Sequence, residues 1–327
     1  MGRGGGTDFG KVKSHASHRT FEKVLEQFVQ PRHTAGLNKK PTVPVPVGQA
    51  IDISMACDFN PLKSKQLFAH PKRLHGVSAW NEHVPFAMLL VELQRPRVIV
   101  ELGTHWGVSY CAWCQAVAAI GSETRCYAVD TWAGDSHAGF YGDEVYENLK
   151  AHHKQYETFS KLLRMTFDEA LKQLPDRSVD LLHIDGLHTH EAVKHDYDSW
   201  LPKMSAKGII LFHDTAVMER GFGVHQLWSE LTSNFPHFNF EHGYGLGVLA
   251  VGKEHSEAVL NFLHTANAHA STARELFSSL GRRLQVEVLL ADMSEEVARL
   301  KRIEQSRDYR YGQRILAPFR RLKRLLS

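Results

Sequence analysis

A glycine-containing turn between residues 98 and 107 carries the clearest chemical signal in the sequence. The segment reads Val-Ile-Val-Glu-Leu-Gly-Thr-His-Trp-Gly, an apolar β-branched run followed by Glu101, Gly103 and Gly107. Because glycine has no Cβ, such a turn can adopt positive φ and a ligand can approach its backbone closely. The spacing Glu-x-Gly-x-x-x-Gly differs from the Gly-x-Gly-x-x-Gly of pyrophosphate-binding turns. The turn therefore predicts a ligand with a cationic or hydroxylated group near Glu101, and no phosphate.

A second acid ends the next apolar run, which extends from Cys126 to Asp130, 27 residues after Gly103. In nucleotide-binding α/β folds, an acid at this place holds the ribose hydroxyls, and it disfavours a ligand with a 2′-phosphate. The alternative interpretation is that Glu101 and Asp130 are ordinary strand-end acids beside helix N-termini. Because the two acids occur together at the expected distance, the pattern favours a nucleoside-binding site.

Two further apolar runs, residues 179–185 and 208–214, also end in acids, and residues 191–204 between them have helical spacing. Strands that alternate with helices predict an α/β fold with a parallel sheet and right-handed crossovers. Ligands of such sheets bind at the carboxyl ends of the strands. The polar residues at the predicted strand ends are Glu101, Asp130, Asp185, His213 and Asp214. We therefore expect these polar side chains to meet at one edge of the sheet.

These segments resemble those of class I S-adenosylmethionine-dependent methyltransferases. The nearest resemblance is to the branch that contains macrocin-type sugar O-methyltransferases and cephalosporin hydroxylase. It rests on residues 100–104, 183–188 and 208–215 together with Asp130, and it covers roughly residues 75–252. The resemblance implies a Rossmann-like seven-stranded sheet whose last strand runs antiparallel, with helical N- and C-terminal extensions. Phe238 to Glu241 and Leu246 to Val251 would form the final hairpin.

The resemblance also implies a site for S-adenosyl-L-methionine. Glu101 and Gly103 would hold the methionine part and Asp130 the ribose, while residues 166–168 would lie near the adenine. The complete set of cofactor-binding candidates is Glu101, Gly103, Thr104, His105, Gly107, Ser109, Asp130, Thr131, Phe167, Asp168 and Asp185.

Several members of that branch use a divalent metal held by strand-end acids, and the matching positions here are Asp185, His213 and Asp214. Such an oxygen-rich set with one imidazole suits Mg²⁺ or Mn²⁺ and tolerates iron or zinc. His213 departs from the carboxylate or amide that relatives often carry, so strand-end acids without any metal remain an alternative. In the related sugar methyltransferases, the histidine of an Asp-x-x-His arrangement is the candidate general base. The resemblance therefore implies that His188, with Asp185, is catalytic.

The composition indicates one catalytic domain with extensions. We expect a disordered basic N-terminus (1–20), a helix and Pro-rich linker or cap (21–74), the methyltransferase domain (75–252), a helical extension (253–310) and a basic amphipathic tail (311–327). No apolar run of membrane-spanning length and no signal-peptide core is present in the sequence. With only four cysteines, a reducing cytoplasmic setting is the expectation.

The positive charge is concentrated at the C-terminus. Residues 299–327 contain ten Lys or Arg and two acids, a balance of +8, so the remainder of the +3 chain carries −5. The basic, apolar end predicts reversible binding to an anionic membrane surface, at the inner membrane face. A partner protein and a solvated end are the alternatives, whereas the acidic body disfavours nucleic acid. Apolar residues at four- and three-residue steps from Leu289 to Leu300 give about two heptads, too few to predict a coiled coil. A homo-oligomer is left open.

The leading functional hypothesis is O-methylation of a hydroxyl on a glycan or glycosylated small molecule. A metal-dependent hydroxylase on the same fold is the first alternative, and it would consume oxygen without methyl transfer. A non-catalytic, membrane-peripheral binding protein is the second. A nicotinamide-dependent dehydrogenase is disfavoured by the glycine spacing.

Overall fold

The computed structural model describes residues 59–76 and 78–325, which form an α/β fold around one seven-stranded sheet. In chain order the strands are β1 Val98–Leu102, β2 Arg125–Asp130, β3 Gly134–Asp135, β4 Gly139–Phe140, β5 Ser160–Arg164, β6 Val179–Ile184, β7 Met204–His213, β8 His237–Phe240 and β9 Leu246–Ala250. The order across the sheet is β5-β2-β1-β6-β7-β9-β8, while β3 and β4 pair separately. Within the seven-stranded sheet, β9 is antiparallel to both neighbours and the other pairs are parallel. The predicted Rossmann-like sheet and its final hairpin are confirmed.

Helices cover both faces of the sheet. They are α1 Val84–Gln94, α2 Val108–Ile120, α3 Asp143–His153, α4 Phe167–Ala170, α5 His190–Trp200, α6 Val224–Leu231, α7 Glu257–Ala268, α8 Ala270–Gln305 and α9 Arg307–Leu325. Neighbouring residues of a strand point to opposite faces. Ile99 of β1 therefore packs in the cluster that contains α1 and α2, whereas Val100 packs in the cluster that contains α5 and α6. Because both faces are buried, the central strands read as continuous apolar runs in the sequence.

Prolines lie at two of the helix boundaries. A 3-10 turn, Ala79–Glu82, precedes α1, which has Pro85 in its first turn. The helix predicted over residues 191–204 ends earlier, as α5, because Pro202 lies in the 3-10 turn that leads directly into β7.

The predicted extensions are described only in part. Residues 1–58 and 77 lie outside the described part of the chain, and with them the predicted segment 1–20 and most of 21–74. Helices α7 and α8 lie within the predicted extension 253–310, and α9 includes the described part of the predicted tail. None of the helices among the described residues is long and apolar enough to cross a lipid bilayer.

Candidate active site

A cleft of about 470 Å³ opens at the carboxyl ends of β1, β2, β6 and β7. Parallel strands bring their carboxyl ends to one edge of a sheet, which is why residues distant in sequence meet there. The sequence-predicted site residues that line the cleft are Gly103, Thr104, His105, Gly107, Ser109, Asp130, Thr131, Phe167, Asp185, His188, His213 and Asp214. Glu101 and Asp168 do not line it.

The glycine turn after β1 is needed for packing between loops. Gly103 has φ +86°, and a Cβ at this position would lie 2.1 Å from the carbonyl oxygen of Asp185. A Cβ on Gly107, at φ +71°, would lie 2.5 Å from Cδ1 of Leu149. Both contacts are with the protein itself. The sequence argument for glycine invoked the approach of a ligand, whereas the structure shows the approach of other protein segments.

Asp130 ties the glycine turn to the end of β2. Its Oδ2 accepts hydrogen bonds from the backbone N–H groups of Thr104 and His105, both at 2.8 Å, and its Oδ1 accepts from the N–H of Trp132 at 2.7 Å. A carboxylate offers about four acceptor positions. Three are used here, so Asp130 keeps capacity for one ligand hydroxyl while it fixes the turn.

Glu101 lies in the core of the protein. Its side chain is fully buried, and Oε2 accepts a hydrogen bond from Nε1 of Trp113 at 3.0 Å and lies 3.0 Å from Nδ1 of His183. The prediction that Glu101 lies at the ligand-binding edge is therefore corrected. The physical reason is that β1 continues through Leu102, so Glu101 points to one face of the sheet, where α2 covers it.

Asp168 is the second predicted residue outside the cleft. It is exposed on α4, where its Oδ1 lies 3.0 Å from Nε2 of His195. Adjacent residues of a helix point in different directions. The preceding residue, Phe167, consequently faces the cleft while Asp168 faces solvent.

An acid–imidazole cluster lies where β6 and β7 end. Nε2 of His188 lies 2.9 Å from Oδ2 of Asp214 and 3.6 Å from Oδ1 of Asp185. Nδ1 of His213 lies 3.2 Å from an oxygen of each acid. Ligand atoms of Asp185, His188 and Asp214 all lie within 4.8 Å of one another, a grouping that could hold a metal ion. This grouping contains His188, whereas the predicted metal-binding set contained His213.

The cluster shares protons between its acids and its histidines. Burial lowers the pKa of His188, but hydrogen bonds to Asp185 and Asp214 and their charges outweigh this and raise its pKa to about 9. The pKa of the His213 imidazole is also raised, because the charges of both carboxylates outweigh its burial. Conversely, burial raises the pKa of each acid, but the neighbouring histidines hold the pKa of Asp185 well below its usual range and lower that of Asp214.

The carbonyl oxygen of Gly243 orients His213. It lies 3.0 Å from Nε2 of His213 and 3.1 Å from Nε2 of His83. A carbonyl only accepts hydrogen bonds, so Nε2 of His213 carries a hydrogen and Nδ1 faces the two carboxylates. A metal-binding histidine is commonly oriented by such a carbonyl. His213 is therefore held in place to position Asp185 and Asp214.

An aromatic stack forms the wall of the cleft beside His188. The ring of Phe222 is nearly parallel to that of His188, with centroids 4.5 Å apart, and to that of His137, with centroids 4.7 Å apart. The guanidinium of Arg220 lies over the ring of Phe222, 5.5 Å from its centroid. His137 reaches the stack from the β3–β4 hairpin. The stack was not predicted, because no local pattern links these segments.

Backbone strain is concentrated at this edge. Of the seven described non-glycine residues with positive φ, four line the cleft: His105, Asp214, Arg220 and Tyr244. Such conformations persist only where the surrounding structure enforces them, and they cluster at functional sites. The strain supports the cleft as the functional site.

Comparisons with known proteins agree with this location. Residues 100–215 match the model of a protein family described as Methyltransferase domain. The uncharacterized protein y4gI of Sinorhizobium fredii is 55% identical over 188 residues, which are 58% of this chain and 21% of that protein. The matched segment thus spans about a fifth of the relative's length. The segment that forms most of the cleft is therefore similar in sequence to methyltransferase domains.

Solved structures of methyltransferases are also similar to the chain. The O-methyltransferase TomG from Streptomyces achromogenes is 13% identical, over 61% of this chain and 93% of its own, with a TM-score of 0.41. The Podospora anserina methyltransferase PaMTH1 is 15% identical, over 51% of this chain and 77% of its own, with a TM-score of 0.40. The resemblance to the macrocin and cephalosporin hydroxylase branch stays a prediction.

Proposed function

We propose that the protein is an S-adenosylmethionine-dependent methyltransferase that methylates a hydroxyl group. One observation carries the proposal: a single cleft contains the glycine turn fixed by Asp130 and the acid–imidazole cluster of Asp185, His188, His213 and Asp214. In the proposed reaction the bond between the methyl carbon and sulfur breaks while a bond to the acceptor oxygen forms. The hydroxyl proton must then pass to a base, and the cluster supplies one beside the cleft.

The turn offers polar groups that suit the methionine and ribose parts of the cofactor. Oγ1 of Thr104 is buried and has no hydrogen-bond partner among the described residues, although Thr104 lines the cleft. A buried hydroxyl without a partner is costly, so a bound ligand would satisfy it. We assign Asp130 to the ribose hydroxyls and Phe167 to the adenine ring. Glu101 would not contact the cofactor directly, because its side chain is buried in the core.

Calorimetric titration of the full chain with S-adenosylmethionine tests the cofactor, with NAD as the control ligand. We expect binding of S-adenosylmethionine alone, and affinity about five- to tenfold weaker in Thr104→Val, the loss of about one hydrogen bond. The unbound variant should be at least as stable as the parent, because it loses only an unsatisfied hydroxyl. Asp176→Ala, an exposed acid that pairs with Lys203, should leave affinity unchanged. If S-adenosylmethionine did not bind, or if NAD bound equally well, the proposal that S-adenosylmethionine is the cofactor would be wrong.

We infer that the acceptor is a glycan or a glycosylated small molecule. The stack of His137, Phe222 and His188 offers flat faces of the kind against which sugar rings pack, and Arg220 adds the only Lys or Arg side chain among the cleft-lining residues. An acceptor hydroxyl that rests on this wall would lie next to His188. The stack therefore supports a hydroxyl acceptor with a ring, and Arg220 favours one that carries negative charge.

The same cluster suits a divalent cation, Mg²⁺ or Mn²⁺. Asp185 and Asp214 would hold it with one imidazole, that of His188 or His213, since carboxylate oxygens are the ligands that these ions prefer. A bound cation would lower the pKa of an acceptor hydroxyl and stabilise its charge. The residues present fit this role, and they also form a complete proton-sharing network among themselves.

We also propose that α9 attaches the protein reversibly to an anionic membrane surface, at the inner membrane face. Tyr311, Ile315 and Leu316 are exposed on this helix, among basic residues.

Arg310→Glu with Arg314→Glu should reduce flotation with phosphatidylglycerol vesicles, since each basic residue contributes about 1 kcal/mol near such a surface. Lys194→Glu, a distant exposed change, should not. Equal flotation with phosphatidylcholine vesicles would contradict the proposal.

A further inference from the structure

Helix α8 has a packed half and an exposed half. Its N-terminal half packs on the core through Phe277, Leu284 and Val288, which are all buried. From Leu290 to Gln305, by contrast, every residue is exposed. Isolated helical segments of this length are marginally stable in water, and most helices are held by packing of an apolar face. The exposed half of α8 therefore lacks the packing that usually stabilises a helix.

Exposed apolar side chains form a regular row along α8, from the end of its packed half into the exposed half. They are Val286, Leu290, Met293, Val297 and Leu300, which are 43%, 57%, 52%, 49% and 51% exposed; we call them the exposed stripe. Their steps of four, three, four and three residues are those of a heptad in which Leu290 and Val297 occupy a positions and the others d positions. This period keeps a row of side chains facing a second helix. The stripe has the form of one half of a coiled-coil seam.

The same segment of α8 has an acidic part followed by a basic part. Residues 287–296 contain four acids and no Lys or Arg, whereas residues 297–303 contain three Lys or Arg and no acid. Two copies of the segment placed in parallel would oppose like charges. Placed antiparallel, the acidic part of each copy faces the basic part of the other, and the two helix dipoles also oppose.

We propose that the exposed stripe is the seam of an antiparallel homodimer, formed with a second copy of this chain. In the matching register, Leu290 faces Leu300 of the other copy and Met293 faces Val297, so each of these layers pairs an a with a d position. Val286 faces Glu304 of the other copy, where the apolar seam ends. The same register places Glu287 opposite Lys301 of the other copy. It also brings Glu296 near its own counterpart, and Arg299 offsets that charge through two bonds of 2.7 Å within each helix.

Sedimentation of the full chain tests the dimer. We expect a concentration-dependent monomer–dimer equilibrium, and a dimer dissociation constant about tenfold or more higher in Val297→Asp, because a carboxylate would then be buried in the seam. Ala298→Asp introduces the same charge one residue away, on the outer face of the helix, and should leave the equilibrium unchanged. A monomeric parent protein, or a dimer insensitive to Val297→Asp, would overturn the proposal.

Cysteine cross-linking tests the direction of the helices. Met293→Cys and Val297→Cys proteins, mixed and oxidised, should form a mixed disulfide, while neither variant should cross-link to itself. Cys111, Cys114 and Cys126 are buried, and oxidation of the parent protein controls for all native cysteines. Self-cross-linking of either variant would indicate parallel helices and contradict the register. A monomer that loses vesicle flotation on Val297→Asp would assign the stripe to a membrane and overturn the dimer.

Discussion

Replacing Gly103 with alanine is expected to lower the free energy of unfolding by about 3 kcal/mol or more, because backbone strain and a steric clash act together. The new Cβ would lie 2.1 Å from the carbonyl oxygen of Asp185, and the residue would have to keep φ at +86°. Backbone atoms cannot swing away as a side chain can, so the turn after β1 and the end of β6 must separate. Thermal or denaturant unfolding of the full chain measures the change.

Gly121→Ala is the matched control for this prediction. Gly121 also has positive φ, +62°, but nothing lies within 4 Å of the position of its Cβ. Gly121→Ala should lower the free energy of unfolding only by the conformational strain, about 1–2 kcal/mol. Equal losses in the two variants would show that φ, and not the contact with Asp185, decides the effect at Gly103.

Replacing His188 with alanine is expected to reduce the rate of methyl transfer by about 10²- to 10⁴-fold, the usual contribution of a general base. The affinity for S-adenosylmethionine should change little, because His188 lies on the acceptor side of the cleft, stacked on Phe222. Transfer of a labelled methyl group to a panel of neutral and uronic acid phenyl glycosides measures the rate. His195→Ala, an exposed histidine paired with Asp168, is the control.

The pH dependence gives this prediction a second readout. The raised pKa of His188, about 9, means that the side chain is mainly protonated at neutral pH. A base must be neutral, so the rate of the parent protein should rise with pH, be half-maximal near pH 9 and level off only above that pH. The residual activity of His188→Ala should lack this rise. A parent profile that is flat from pH 7 to about 9 would contradict the role of His188 as base.

The sequence predicted the fold because the pattern of the strands is strong. The apolar runs at residues 99–102, 179–184 and 208–213 are buried on both faces, as parallel strands between helix layers must be. The acids at strand ends were equally informative. Asp130, Asp185 and Asp214 each come directly after an apolar run, and all three line the cleft. These features depend on residues close together in the chain, so a single sequence contains them.

Other features depended on contacts between distant segments. Glu101 looked like a strand-end acid, but pairing of β1 with β6 brings His183 beside it and α2 brings Trp113, which together enclose it in the core. The stack of Phe222 on His188 and His137 joins three separate loops. No spacing rule connects such residues.

The sequence by itself determined the α/β sheet and the acids that meet at its edge, because apolar periodicity and turn chemistry are local properties. Its antiparallel final strand was implied by the family resemblance. Only the tertiary structure decided which side chains share protons there. His188 follows β6 and His213 is the last residue of β7, yet only the packed loops fix Nε2 of His188 at 2.9 Å from Asp214 and turn Nε2 of His213 toward Gly243. Distances of this kind result from the packing of the whole domain, which no local pattern encodes.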